Sequence, residues 1–136
     1  MSFYLLDTDV LSQLINKRQN LSVIRKLATL PAARQFASTI SIAELYYGAS
    51  LAAPALNFCQ AIEEKIIANV QIIPFDLKAA QQYGQLRSHQ ERLGRPLAMA
   101  DLMIASIALV NHLILATGNI RHFSQVPGLQ VEDWFS

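Results

Sequence analysis

The feature that most constrains the fold is an unbroken apolar run, Phe3 to Leu6, that ends at an acid, Asp7. A run without alternation is typical of a strand covered on both faces, as in a parallel sheet. Apolar residues then recur at helical spacing, and Asp9 can cap the helix that they predict. A carboxylate thus lies at the carboxyl end of a strand, where open α/β sheets bind ligands. The alternative is that Asp7 is only a turn residue and Asp9 only an N-cap.

The composition favours one folded domain, residues 1–136, without an internal repeat or linker. Hydrophobic residues make up 52% of the chain and charged residues 15%, which excludes disorder and indicates apolar surface that an oligomer would cover. The net charge of +1 neither supports nor excludes an RNA substrate. The single cysteine, Cys59, excludes an internal disulfide and falls in an apolar helical stripe.

The start of the chain and its apolar segments indicate a cytoplasmic protein without a membrane partner. Met1-Ser2 lead into the first strand without a basic segment or a small-residue cleavage site. The longest apolar stretch, around Leu102 to Val110, is shorter than the about 20 residues that span a bilayer.

Strands and helices alternate along the rest of the chain. This alternation predicts an α/β fold, a three-layer sandwich around a mostly parallel five-stranded sheet. Pro74 removes a backbone donor and places the third strand at a sheet edge, or ends it. The later strands are predicted at 35–39, 70–75, 113–116 and 129–131, and helices after the first at 21–30, 41–48, 55–69, 77–93 and 99–110.

Two further acids lie where helices begin. Glu44 belongs to a Ser41-x-x-Glu44 pattern, which is typical of a capping box, although Glu44 could instead face the crevice that holds Asp7. Asp101 is the only charged residue of a helix that is apolar on nearly every side. Because the helix dipole offsets only about 0.3–1 kcal/mol of the cost of burying this carboxylate, we expect a metal or a basic side chain near Asp101. Asn119 follows Thr117 at the end of the fourth strand, on the same sheet edge.

Right-handed crossovers can bring Asp7, Glu44 and Asp101 to one crevice. Three carboxylates there would raise one another's pKa unless a cation intervened, so their convergence itself indicates a metal. Oxygen ligands without thiolates or paired histidines suit Mg²⁺ or Mn²⁺, and such an ion favours phosphodiester hydrolysis. The histidines have no helical His-x-x-x-His spacing, and we interpret each as structural or solvated.

Four motifs together resemble a PIN domain, and in particular the VapC-type toxins of bacterial toxin-antitoxin pairs. They are Leu5-Leu6-Asp7-Thr8-Asp9, Ser41-x-x-Glu44-Leu45-x-x-Gly48, Gly94-Arg95-Pro96-x-x-x-x-Asp101 and Thr117-x-Asn119. Their order and spacing cover nearly the whole chain.

The resemblance implies a metal-dependent ribonuclease with sheet order 3-2-1-4-5. Asp7, Glu44 and Asp101 would be metal ligands and water the nucleophile, leaving a 3′-hydroxyl and a 5′-phosphate. The resemblance also implies a homodimer, silenced in a higher assembly by a VapB-like antitoxin whose tail enters the active-site groove. Transfer RNA is the substrate expected at the level of the family.

Two positions depart from the common family pattern: Asp9 stands where Asn is usual, and Asn119 where many relatives have a fourth Asp. The second change weakens a second metal site, although Asn119 could accept a metal-bound water or hold Asp101. We expect one metal and leave two-metal catalysis open. The remaining candidate contacts to substrate or antitoxin are Thr8, Asp9, Thr117 and Arg95, and Arg95 could instead neutralise Asp101.

Two other functions fit parts of the sequence. A non-catalytic α/β interaction module would use the same acids as helix caps. An aspartate-nucleophile phosphatase, similar to the haloacid dehalogenase group, would use Asp7 and Asp9 as nucleophile and acid. That group has Thr or Val where Leu11 stands and a paired-acid motif, whereas Asp101 has no acidic neighbour.

Overall fold

The computed structural model describes all of residues 1–136, and its centre is a five-stranded sheet. The strand order is β3-β2-β1-β4-β5, and every neighbouring pair is parallel. The α/β class and the order 3-2-1-4-5 are thereby confirmed. The strands are β1 (Tyr4–Leu6), β2 (Gln35–Ser38), β3 (Gln71–Ile73), β4 (Ile114–Thr117) and β5 (Val131–Asp133).

Helices cover both faces of the sheet, as the continuous apolar strands predict. Leu5 and Leu6 of β1 are both fully buried but belong to two different core clusters, Leu6 to the first core and Leu5 to the second core. Successive strand residues point to opposite faces, so the sheet separates the two cores and forms the middle layer. The α-helices are α1 (Thr8–Ser12), α2 (Leu21–Thr29), α3 (Thr39–Leu51), α4 (Ala55–Ala61), α5 (Leu77–Arg92), α6 (Met99–Val110) and α7 (Ile120–Phe123).

The register brings the carboxyl ends of β1 and β4 side by side. Leu6 pairs with Ala116, and the backbone N–H of Asp7 donates to Ala116 O at 2.9 Å. Asp7 therefore lies beside Thr117, the last residue of β4. Helices that return across a parallel sheet begin at this same edge, and α6 begins there with Asp101 in its first turn.

Several predicted boundaries were wrong, and backbone bonding explains them. The strand predicted at 129–131 begins at Val131, because Gly128 adopts a positive φ of 79° and residues 126–129 form a turn. The helix predicted at 55–69 divides into α4 and a π-helical segment, Ile62–Ile67, which keeps Ile62 and Ile66 in the core. The helix predicted to stop near Gly48 continues to Leu51.

The predictions for β3, α6 and Cys59 were confirmed. The strand β3 is an edge strand and ends one residue before Pro74. Helix α6 has the predicted bounds, and Cys59 is a free, half-buried thiol packed against the first core. No helix in the structure is long and apolar enough to cross a bilayer.

Candidate active site

Asp7 is the most buried acid at the carboxyl edge of the sheet, with 7% of its surface exposed. Its Oδ1 accepts the backbone N–H of Thr8 at 2.9 Å, and its Oδ2 accepts the hydroxyl of Thr117 at 2.8 Å. Asp7 is the N-cap of α1, so the prediction that Asp9 caps this helix was wrong. The reason is that the helix begins at Thr8, directly after the strand, and leaves Asp7 in the last extended position.

Asp9 lies in the first turn of α1 and binds the loop after β4. Its Oδ2 accepts the backbone N–H of Gly118 at 2.9 Å, whereas its Oδ1 is buried without a hydrogen-bond partner. A Cβ on Gly118 would lie 2.8 Å from Phe135 Cδ2 and 3.1 Å from Asp9 Oδ2. Glycine therefore allows the loop to pass between the carboxylate and the aromatic ring without displacing either of them.

Burial raises the pKa of Asp7 from 3.8 to about 6, and repulsion by Asp9 and, more weakly, by Asp101 adds to the rise. Burial also raises the pKa of Asp9, against the lowering effect of the Gly118 hydrogen bond. Neither carboxylate forms a salt bridge, since the ion pairs of the structure are Arg87–Glu91 and His122–Asp101. The site thus holds partly desolvated negative charge that no protein cation neutralises.

Glu44 lies on α3 with its side chain exposed, and its Oε1 is 2.6 Å from the hydroxyl of Thr8. The predicted capping box was wrong, because α3 begins at Thr39 and the Ser38 hydroxyl accepts the backbone N–H of Ser41. The Glu44 carboxylate therefore does not cap the start of α3. Thr8 joins the two acids, because its backbone N–H donates to Asp7 and its hydroxyl contacts Glu44.

Asp101 has the basic neighbour that its burial predicted, but this neighbour is His122, which the sequence indicated to be structural or solvated. His122 Nε2 lies 2.9 Å from Asp101 Oδ2. The sequence offered no spacing signal for this pair, because the residues lie 21 positions apart on different helices. The alternative in which Arg95 neutralises Asp101 was wrong, since Arg95 is exposed and forms no salt bridge.

Asn119 is exposed, and its backbone N–H donates to Thr117 Oγ1 at 3.0 Å. Its side-chain amide does not hold Asp101, because that contact is made by His122. Asp7, Glu44 and Asp101 are brought to one edge of the sheet, but no three acidic or histidine side chains are close enough to enclose a metal ion in this arrangement.

The donor chemistry of the site nevertheless fits a divalent cation. Asp7 carries the charge of a desolvated carboxylate, Glu44 is exposed, and Asp9 has a buried oxygen without a partner. Carboxylate oxygens without thiolate neighbours are the ligand type of Mg²⁺ and Mn²⁺. A cation would offset the effects of burial and of repulsion by Asp9, which raise the pKa of Asp7.

Comparison with known proteins identifies the family. The PIN domain family matches residues 4–129. The tRNA(fMet)-specific endonuclease VapC of Salmonella typhimurium is 35% identical over 133 residues, covering 96% of this chain and 97% of that protein. Ribonuclease VapC2 of Rickettsia felis is 33% identical over 136 residues with the same coverage.

Solved structures agree with this identification. DNA-bound VapBC from Salmonella typhimurium superposes with a TM-score of 0.87 at 32% identity, covering 98% of this chain and 99% of that chain. FitAcB from Neisseria gonorrhoeae superposes with a TM-score of 0.87 at 29% identity and the same coverage. The chain therefore belongs to the PIN-domain family, and within it to the VapC-type ribonucleases.

Proposed function

We propose that Asp7, Glu44 and Asp101 hold one Mg²⁺ or Mn²⁺ ion with which this VapC-type ribonuclease hydrolyses RNA phosphodiester bonds. The observation that carries the proposal is the buried charge of Asp7, which no protein cation neutralises. PIN-domain ribonucleases are generally metal-dependent. When bound, such an ion lowers the pKa of a water molecule for attack on phosphorus and neutralises charge on the phosphate oxygens.

The surrounding residues hold these ligands in place. Thr117 and the backbone of Thr8 bind opposite oxygens of Asp7, so that the carboxylate has one orientation. The Thr8 hydroxyl contacts Glu44, an exposed side chain that would otherwise be free to move. Within the proposal, Thr8 and Thr117 orient metal ligands, and Asp9 holds the backbone of Gly118. Asn119 is the candidate acceptor for a water molecule at the open side of the site.

The proposed substrate is a transfer RNA, because a relative at 35% identity is a tRNA(fMet)-specific endonuclease. Arg95 is the proposed phosphate contact, since it is exposed in the loop that leads into α6 and has no ion-pair partner. RNA as the substrate and a single free cysteine are consistent with action in the cytoplasm.

The proposed protein partner is a VapB-like antitoxin, since the VapBC structures of Salmonella typhimurium and Rickettsia felis are similar to this fold. We also propose that residues 1–136 form one PIN-like domain that assembles as a homodimer. Exposed apolar side chains on α3 and α4 support an assembly that covers them, namely Tyr47, Leu51 and Leu56.

The decisive experiment measures cleavage of purified transfer RNA by the full chain, with Mg²⁺ or Mn²⁺ and with EDTA. Wild type should cut in the presence of metal only, and Asp7→Asn should cut at least 100-fold more slowly while the far-UV circular dichroism stays unchanged. Glu64→Gln replaces an exposed acid of the π-helical segment and serves as the matched control with wild-type activity. Cleavage in EDTA, or an undiminished rate for Asp7→Asn, would contradict the proposal.

A further inference from the structure

One segment of the chain supports two of the proposed metal ligands. Thr117 donates to Asp7 Oδ2 at 2.8 Å, and His122, five residues later, contacts Asp101 Oδ2 at 2.9 Å. The segment 117–122 thus joins the carboxyl end of β1 to the first turn of α6. The two carboxylates are therefore contacted from the same short segment.

The position of the His122 ring is set by packing. Its side chain is 27% exposed, and its ring meets the Phe123 ring edge-on, with centroids 5.3 Å apart and planes at 81°. Phe123 is fully buried in the second core, and its backbone N–H donates to Asn119 O at 3.2 Å. A ring held in this way directs its nitrogen to one place, because moving it would disturb the core residue beside it.

The contact leaves one oxygen of Asp101 free. A carboxylate oxygen accepts, so the contact is a hydrogen bond donated by His122 Nε2 in the tautomer that carries hydrogen on that nitrogen. Oδ2 of Asp101 is therefore engaged, whereas Oδ1 accepts no hydrogen bond from the protein. Groups that hold a ligating carboxylate from behind set its orientation, and their loss typically weakens metal binding about 10- to 100-fold.

We propose that His122 is a positioning residue of the metal site, which holds Asp101 through Oδ2 and leaves Oδ1 to bind the cation. This inference rests on the proposed function, because it requires Asp101 to be a metal ligand. The competing role is purely structural: His122 would tie α7 to α6, and the metal affinity would not depend on it.

The test measures the dissociation constant for Mn²⁺ alone by isothermal titration calorimetry on the full chain. His122→Phe keeps an aromatic ring against Phe123 but removes the hydrogen-bond donor, and it should raise the dissociation constant about 10-fold or more. His122→Gln restores a donor on a flexible side chain and should bind more tightly than His122→Phe. His89→Phe, at an exposed position of α5, is the matched control and should bind as wild type does.

The outcomes separate this inference from the function on which it rests. If Asp101→Asn weakens Mn²⁺ binding but His122→Phe does not, His122 has only the structural role and the inference fails alone. If Asp101→Asn binds Mn²⁺ as wild type does, both fail. Urea unfolding of each variant checks that the fold persists, and His122→Ala takes the place of His122→Phe if the larger ring prevents folding.

Discussion

Replacing Asp7 with asparagine removes a charge that the folded protein holds at a cost. Burial and the neighbouring Asp9 raise the pKa of Asp7 from 3.8 to about 6. Each unit of that difference between the folded and unfolded states corresponds to about 1.4 kcal/mol. Ionised Asp7 therefore lowers the free energy of unfolding by about 3 kcal/mol at any pH above 6.

The penalty depends on pH in a defined direction. Below pH 4 the carboxyl is protonated in both states, and the penalty is absent. Between pH 4 and 6 the unfolded chain releases the proton while the folded protein keeps it, so the stability of wild type falls as the pH rises. Above pH 6 both states are ionised, and the penalty is constant.

The asparagine variant should avoid most of this cost. An amide has one acceptor oxygen, so either the N–H of Thr8 or the hydroxyl of Thr117 loses its partner, at a cost of about 1 kcal/mol. We expect Asp7→Asn to be about 2 kcal/mol more stable than wild type at pH 7.5. At pH 4 the advantage should disappear, and the lost hydrogen bond should make the variant slightly less stable.

Urea unfolding in EDTA, followed by circular dichroism at pH 7.5 and pH 4, measures both values. The difference between variant and wild type isolates Asp7, because the other carboxyl groups titrate in both proteins. Glu64→Gln, at an exposed acid, should change the free energy of unfolding by less than about 0.5 kcal/mol. If Asp7→Asn is no more stable at pH 7.5, or if its advantage is the same at both pH values, burial of the Asp7 charge does not destabilise the folded protein.

Two further predictions concern the loop after β4 and the loop before α6. Gly118→Ala places a methyl group 2.8 Å from Phe135 Cδ2 and 3.1 Å from Asp9 Oδ2. It should therefore lower the free energy of unfolding, measured by urea titration, by about 1–3 kcal/mol. Gly84→Ala on α5, where a Cβ would contact nothing, is the control and should be neutral or stabilising in the same titration. Arg95→Ala should leave unfolding unchanged but weaken RNA binding and reduce its salt dependence, as measured by fluorescence anisotropy. Unchanged RNA affinity with weaker antitoxin binding would instead assign Arg95 to the antitoxin.

The parallel α/β sheet follows from local patterns in the sequence. The apolar runs of β1 and β4 and the helices between them indicate a parallel sheet, because each pattern depends on residues that lie close together in the chain. Pro74 identified an edge strand because it has no N–H to donate. The order 3-2-1-4-5 came from the family resemblance, and the structure confirms it.

The ends of strands and helices were predicted less well, since they depend on backbone hydrogen bonds that the local sequence pattern does not show. Ser41-x-x-Glu44 has the form of a capping box, but Ser38 takes the capping position because β2 ends there and the helix starts at once. The strand β5 was placed two residues early because its register is set by pairing with β4, where Leu115 lies opposite Val131.

The sequence by itself determined that Asp7 directly follows a strand and that Asp101 lies in the first turn of a helix, and hence that their carboxylates meet at one sheet edge. It misplaced Glu44, which lies in the second turn of α3 because that helix begins at Thr39. Only the tertiary structure decided how they are held. Thr117 and Asp7 are 110 positions apart, Thr8 and Glu44 are 36 apart, and His122 and Asp101 are 21 apart. These partners are chosen by the packing of whole strands and helices, and no spacing along the chain encodes which side chains that packing brings within hydrogen-bonding distance.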